Sequence, residues 1–268
     1  MHVEKIRSKG SHKLNEDELL IKEHLFAVFD GAGSLVNFAD ERGRTGAKLA
    51  ALIAKRAFAA NNAPLDQLAR EANRQIARAM DRHHIDMRRK ESRWATCTAA
   101  VRVEKMRVNF FGIGDSMILG IQKNGSVKPL IPHYDQDLPT MRKWKVLAQQ
   151  KIPDIRKRLN QQILNVRRDA NVSYGVLNGE QAAERFFLKG AVSRQSLASV
   201  LLLTDGLFLP KENPDEGENW GKLAGLFQDG GLKNVLRYVR SVEKSDPNCW
   251  MYPRFRQHDD ATAIAIDL

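Results

Sequence analysis

Residues 18–22 and 24–29 are short apolar runs rich in Leu, Val and Phe, and the second runs into Asp30-Gly31; they predict two strands. A turn at residues 31–34, Gly-Ala-Gly-Ser, follows. From 43 to 60 the pattern changes. Ala47, Leu49, Ala50, Ile53, Ala54, Ala57 and Phe58 recur at three- and four-residue spacing, which predicts an amphipathic helix. Pro64 opens a second helix with Leu65, Leu68, Ala72, Ile76 and Met80 on one face. Strand character returns over 95–103, 106–112, 116–122 and 126–130. Glu104-Lys105 and Lys123-Asn124-Gly125 supply turns, so this stretch predicts an antiparallel meander. Residues 140–168 read as helical, 185–189 and 199–204 as strands, 218–242 as a helix broken near Gly230-Gly231, and 261–267 as the last strand. No repeat and no Ser/Gly linker divides the chain. The pattern predicts one α/β domain over 1–268 with mainly antiparallel sheets.

Composition narrows the class. The 43% apolar and 28% charged residues are those of an ordinary globule and argue against disorder and coiled coil. Two cysteines, Cys97 and Cys249, exclude a disulfide framework and a cysteine-rich zinc site, and fit a reduced, cytoplasmic life. The first residues lack the apolar core of a signal peptide, and no apolar run approaches the ~20 residues that span a bilayer. The 43 Lys and Arg against 32 Asp and Glu leave a net charge of +11, and the excess concentrates between Met141 and Arg168. Such a segment attracts anions: nucleic acid, acidic lipid or a phosphorylated partner. Only Trp144 interrupts it, so an aromatic platform for single strands is lacking and nucleic acid is disfavoured.

The chemistry lies in acidic residues at strand ends. Asp30 ends one apolar run and Asp205 another; Asp115 sits in a Gly-Asp-Ser turn; Asp259 and Asp260 precede the last strand; Glu16 and Asp17 precede an early one. Rigid strand ends can bring such carboxylates to one point. Without compensation a buried cluster of this kind is costly, and a hard divalent cation relieves it. Oxygen-only ligands favour magnesium or manganese over zinc. His83, His84 and Asp86 are adjacent rather than one turn apart and read as a solvated helix end.

The order of these pieces resembles a known family. Asn15-Glu16-Asp17, Phe26-Ala27-Val28-Phe29-Asp30-Gly31-Ala32-Gly33, Thr45-Gly46, Thr96-Cys97-Thr98-Ala99-Ala100, Gly112-Ile113-Gly114-Asp115-Ser116, Leu203-Thr204-Asp205-Gly206-Leu207 and Asp259-Asp260-Ala261-Thr262-Ala263 look like the successive motifs of metal-dependent protein phosphatases of the 2C type. Residues 171–179, Asn-Val-Ser-Tyr-Gly-Val-Leu-Asn-Gly, resemble the bacterial-type branch. The resemblance implies two packed antiparallel β-sheets flanked by helical layers, an α-β-β-α sandwich, with a basic helical cap around 140–170. It implies two magnesium or manganese ions, and a third, weaker site at Asp115. Asp30 would bridge both ions, the Gly31 carbonyl would ligate one, and Asp205 with Asp259 the other; Glu16 and Asp17 would act largely through water, with Asp260 behind them. The implied reaction is hydrolysis of phospho-Ser or phospho-Thr by direct attack of a metal-activated hydroxide. The implied partners are a phosphorylated protein substrate and a cognate Ser/Thr kinase, with the chain a monomer.

One departure matters. Where the family usually has an arginine that binds substrate phosphate, this chain has His12, beside Lys13. Histidine donates to phosphate but lacks the bidentate fork of Arg. By analogy His12 is also a candidate general acid. Lys9, Lys13 or an Arg from the basic segment could replace the missing group. Two rival readings remain open at this point: a catalytically weak or inactive binding module on the same fold, and a basic nucleic-acid-associated protein.

Overall fold

A computed structural model of the chain describes residues 1–33 and 35–268; Ser34 of the expected turn lies outside the described residues. Two five-stranded sheets form the centre, and every strand pair in them is antiparallel. One sheet has the order β2 (Glu18–Lys22), β3 (Leu25–Ala32), β4 (Ala95–Val103), β5 (Arg107–Ile113), β8 (Leu188–Ser193). The other has the order β1 (Val3–Ser8), β10 (Ala261–Asp267), β9 (Leu197–Leu203), β6 (Met117–Gln122), β7 (Val127–Pro129).

The period-2 pattern assigns side chains to layers. On β3, Phe26 and Val28 point into the core between the sheets, while Leu25, Ala27 and Phe29 point to the helices outside. Those helices are α1 (Gly46–Ala60) and α2 (Leu65–Arg82). Thr45 caps α1 by accepting from Lys48 N at 3.2 Å. The other sheet is covered by α6 (Trp220–Ser245), whose Leu223, Leu232, Val235 and Val239 join the inter-sheet core cluster. Its helix is interrupted at Gly230 and Gly231, as the sequence leads one to expect. The result is the α-β-β-α sandwich.

Several local expectations need correction. The run 95–130 is not one meander: β5 and β6 belong to different sheets, and Gly114-Asp115-Ser116 carries the chain across. The expected turn at 31–34 begins later, because Gly31 and Ala32 still pair with Thr96 and Ala95. Residues 185–189 are not a strand; a helical turn runs through Phe186 and β8 starts at Leu188. The basic stretch 140–168 is three pieces, α3 (Leu138–Gln149), α4 (Ile155–Arg158) and α5 (Asn160–Arg168). Pro153 cannot continue a helix, and Asp154 adopts a left-handed φ of 53°. These pieces form a small apolar cluster of their own, with Trp144, Ile155, Leu159 and Ile163 against Cys249 and Phe255. No helix among the described residues is long and apolar enough to cross a membrane.

Candidate active site

The strand register decides which carboxylates meet. Asp30 follows Phe26 and Val28 at intervals of two, so it lies on the inter-sheet face of β3, opposite Cys97 of β4. Asp205 follows β9, Asp259 and Asp260 precede β10, Asp17 precedes β2, and Asp115 sits in the crossing between β5 and β6. All of them, with Glu16 and Gly31, line one cleft of about 80 Å³ at one end of the sandwich. Two glycines permit the close approach. Gly114 has φ +85° and its missing Cβ would stand 2.2 Å from Cys97 Sγ; that of Gly206 would stand 1.9 Å from the Asp260 carbonyl oxygen.

The backbone behind the cleft is tightly held. Asp260 Oδ1 accepts from Gly10 N and its Oδ2 from Glu16 N, both at 2.7 Å. Asp17 Oδ2 accepts from Thr204 Oγ1 at 2.9 Å. Glu16 accepts from the Thr45 hydroxyl that caps α1. Asp115 Oδ2 accepts from Gln136 Nε2, while Asp115 Oδ1 is buried with no partner among the described residues.

This cluster resists ionisation. Burial pushes Asp30 well above the usual carboxylate range, and Asp205, Asp17 and Asp115 push it further. Asp205 is raised by burial, then by Asp259 and Asp115. Burial lifts Asp17 to about 7, although the nearby Thr262 hydroxyl and the hydrogen bond from Thr204 pull it back. Among the described residues no Lys or Arg ion pair reaches Asp17, Asp30, Asp115 or Asp205. An all-oxygen set of mutually repelling, unneutralised carboxylates is the donor chemistry that magnesium or manganese requires. The donors are gathered rather than closed: no group of three or more among the described residues forms a ready-made metal cage.

Four residues that the strand-end argument did not single out share the cleft. Gln136 and Asp137 come from the irregular segment before α3, Arg167 from the end of α5, and Arg256 from the loop before β10. Burial lifts Asp137 to about 7, Arg167 pulls it back, and Asp115 and Asp135 add to the rise. Arg256 lies 3.3 Å from Asp259 Oδ1. Their signal was weak because no apolar run ends at any of them. His12, by contrast, is exposed and does not line the carboxylate cleft; it lines an adjoining cavity of about 340 Å³ under the cap. His83 ends α2 and packs against Phe38 and Trp94 rather than facing the cleft.

Comparison with known proteins agrees with this fold. The Mycobacterium tuberculosis serine/threonine phosphatase PstP/Ppp superposes with a TM-score of 0.61 at 17% identity, covering 100% of this chain and 98% of that one. A structure of the PstP catalytic domain in complex with two manganese ions gives 0.59 at 16% identity over 99% and 97% of the two chains. Staphylococcus aureus serine/threonine phosphatase Stp1 gives 0.60 at 14% identity over 99% and 94%. Compared with curated protein sequences, the chain finds no match. At these identities the superpositions speak for the fold. The sequence model of the family Protein phosphatase 2C matches residues 10–230, most of the chain, and with the motifs in order along both sheets the chain belongs to the protein phosphatase 2C family.

Proposed function

We propose that the chain is a metal-dependent phosphoprotein phosphatase that hydrolyses phospho-Ser and phospho-Thr. The observation that carries this reading is the cleft itself: six aspartates from five separate strand ends or crossings converge, and no Lys or Arg ion pair among the described residues reaches Asp17, Asp30, Asp115 or Asp205. Asp30, the Gly31 carbonyl, Asp205 and Asp259 would hold two magnesium or manganese ions, with Glu16 and Asp17 acting through water and Asp115 holding a third. Such ions, when bound, neutralise phosphate charge and acidify water. The chain's own part is positioning. The strand ends fix the carboxylates, and Asp260 ties residues 10 and 16 to the start of β10. The Thr204 hydroxyl orients Asp17.

Neither cysteine serves as nucleophile. Burial holds the Cys97 thiol well above its ordinary range, and Cys249 is lifted to about 11. The substrate is a phosphorylated protein, the product of a Ser/Thr kinase reaction, and the chain acts as a monomer. His12 is assigned the proton that goes to the leaving seryl or threonyl oxygen, from the rim of the adjoining cavity. The deciding experiment is hydrolysis of a chromogenic phosphomonoester and of a phosphothreonine peptide with and without manganese. Turnover that appears with manganese and vanishes in excess chelator is expected. Equal turnover in chelator would reject the assignment, as would none under either condition.

A further inference from the structure

The cavity beside the carboxylates is walled by three guanidinium groups. Arg167 and Arg256 line both the carboxylate cleft and the adjoining cavity of about 340 Å³; Arg156, from α4, and His12 line only the second cavity, whose wall also carries Glu16 and Asp137. They come from three places in the chain and meet because α4 and α5 fold over the loop that carries Phe255 and Arg256.

Their partners are few. Among the described residues no hydrogen bond or ion pair holds the side chain of Arg156 or Arg167. Arg256 has one partner, Asp259, and its Nε is buried with none. The neighbouring basic residues are differently placed: Arg142 pairs with Asp215, Arg168 with Glu91, and Lys145 with the Met251 carbonyl. The three wall cations also act on one another, since Arg256 and Arg167 both disfavour the charge on Arg156, adding to the effect of burial. Three guanidinium groups converging on one cavity, with a buried N–H left over, make an anion receptor. The anion must reach the carboxylate cleft at one end and lie among cations at the other. A phosphate monoester dianion on a peptide fits that division.

We propose that Arg167 and Arg256 grip the phosphoryl group of the substrate and that Arg156 takes the next anionic charge outward, so that the cap supplies the fork that His12 lacks. The proposal rests on the phosphatase reading above for its substrate, but the receptor can be tested without turnover. In the manganese-loaded protein, inorganic phosphate binding is measured by titration calorimetry, alongside KM for a chromogenic aryl phosphate. The variants are Arg167→Gln, Arg256→Gln, Arg156→Gln and the conservative Arg167→Lys. Lys157→Gln, an exposed neighbour on α4, is the control.

Arg167→Gln and Arg256→Gln should each weaken phosphate about tenfold or more, as loss of a charge-assisted pair does, and raise KM to match. Arg156→Gln should weaken it a few-fold, Arg167→Lys should restore part of the loss, and Lys157→Gln should change nothing. Should Arg167→Gln fail to fold, judged by circular dichroism, Arg256→Gln and Arg167→Lys carry the test. Phosphate affinity within twofold of the parent in the folded arginine variants overturns the proposal, as does a parent that binds no phosphate. A parent that binds phosphate through these arginines yet hydrolyses nothing would sustain the receptor and reject the phosphatase reading.

Discussion

Two buried acidic centres lie a few residues apart in sequence and are built in opposite ways. Glu18 is ringed by cations: Lys48 Nζ at 2.5 Å, Lys55 Nζ at 2.7 Å and Arg7 Nη2 at 3.3 Å. Burial raises its pKa, the cations more than offset this, and the carboxyl ends below its ordinary range. Lys48 is lowered too, because burial strips its water while it faces one carboxylate and the like-charged Arg7. The aspartate centre has no such ring and ends with carboxyls raised. A charge that serves folding arrives with its partner in the same chain; a charge reserved for a ligand is left unmatched. The two centres are joined at Asp17, whose carbonyl accepts from Lys48 Nζ at 2.9 Å and Arg7 Nη2 at 2.7 Å while its carboxylate faces the cleft.

The comparison breaks most visibly through activity. Asp205→Asn or Asp30→Asn should lower kcat/KM with manganese by about 10³-fold, the equivalent of several kcal/mol of lost charge stabilisation. Calorimetry on the metal-free variants should show a melting temperature equal to or above the parent's, because a repelling charge has gone. Turnover like the parent's would remove these residues from the site.

Glu18→Gln should do the reverse. Leaving Lys48 buried beside a neutral amide costs about 3 kcal/mol, and the melting temperature should fall by several degrees. Turnover per folded molecule should stay within a few-fold. Loss of turnover at unchanged stability would mean that Glu18 belongs to the site.

Manganese sharpens the contrast further. At a hundredfold excess over Kd it should stabilise the parent by about 2.7 kcal/mol, and the gain should vanish in Asp205→Asn but persist in Glu18→Gln.

Acidity separates the centres by sign. Asp17 is raised from 3.8 to about 7 and Asp30 and Asp205 are raised as well, so the folded metal-free protein binds protons that the unfolded chain has released. Its stability therefore falls as pH rises from about 4 to 7. Glu18 is lowered from 4.5, so its contribution is present above that value and is lost as pH falls through the folded one. Urea unfolding across pH should give a maximum at about pH 4 or below in chelator and no decline towards neutrality with manganese. The smallest effect belongs to Lys55→Gln. This half-exposed partner of Glu18 should cost no more than about 1 kcal/mol.

Much of this was legible in the residues. Apolar runs ending in aspartate mark Asp30 and Asp205 because the buried face turns polar there, although β3 itself pairs on through Ala32. The helices declared themselves by period. What escaped was held by tertiary contact rather than local pattern. β1, Val-Glu-Lys-Ile-Arg-Ser, alternates with charged residues, and only pairing with β10 makes it a strand. Asp137 and Arg256 sit in irregular segments with no periodicity, and their place in the cleft depends on how the cap folds back. Arg167 carried a readable charge, but a helix surface gives no sign of which cation turns inward.

The clasp of Asp260 on Gly10 and Glu16 has a consequence for biosynthesis. β10 lies between β1 and β9, so the sheet has a gap until residues near 260 are in place. A chain leaving the ribosome carries Asp17, Asp30, Asp115 and Asp205 long before it carries the residue that fastens the loop of residues 10–16. Nascent polypeptides stalled short of residue 259 therefore lack both Asp259 and the clasp, and the cleft is completed only by the arrival of one late strand.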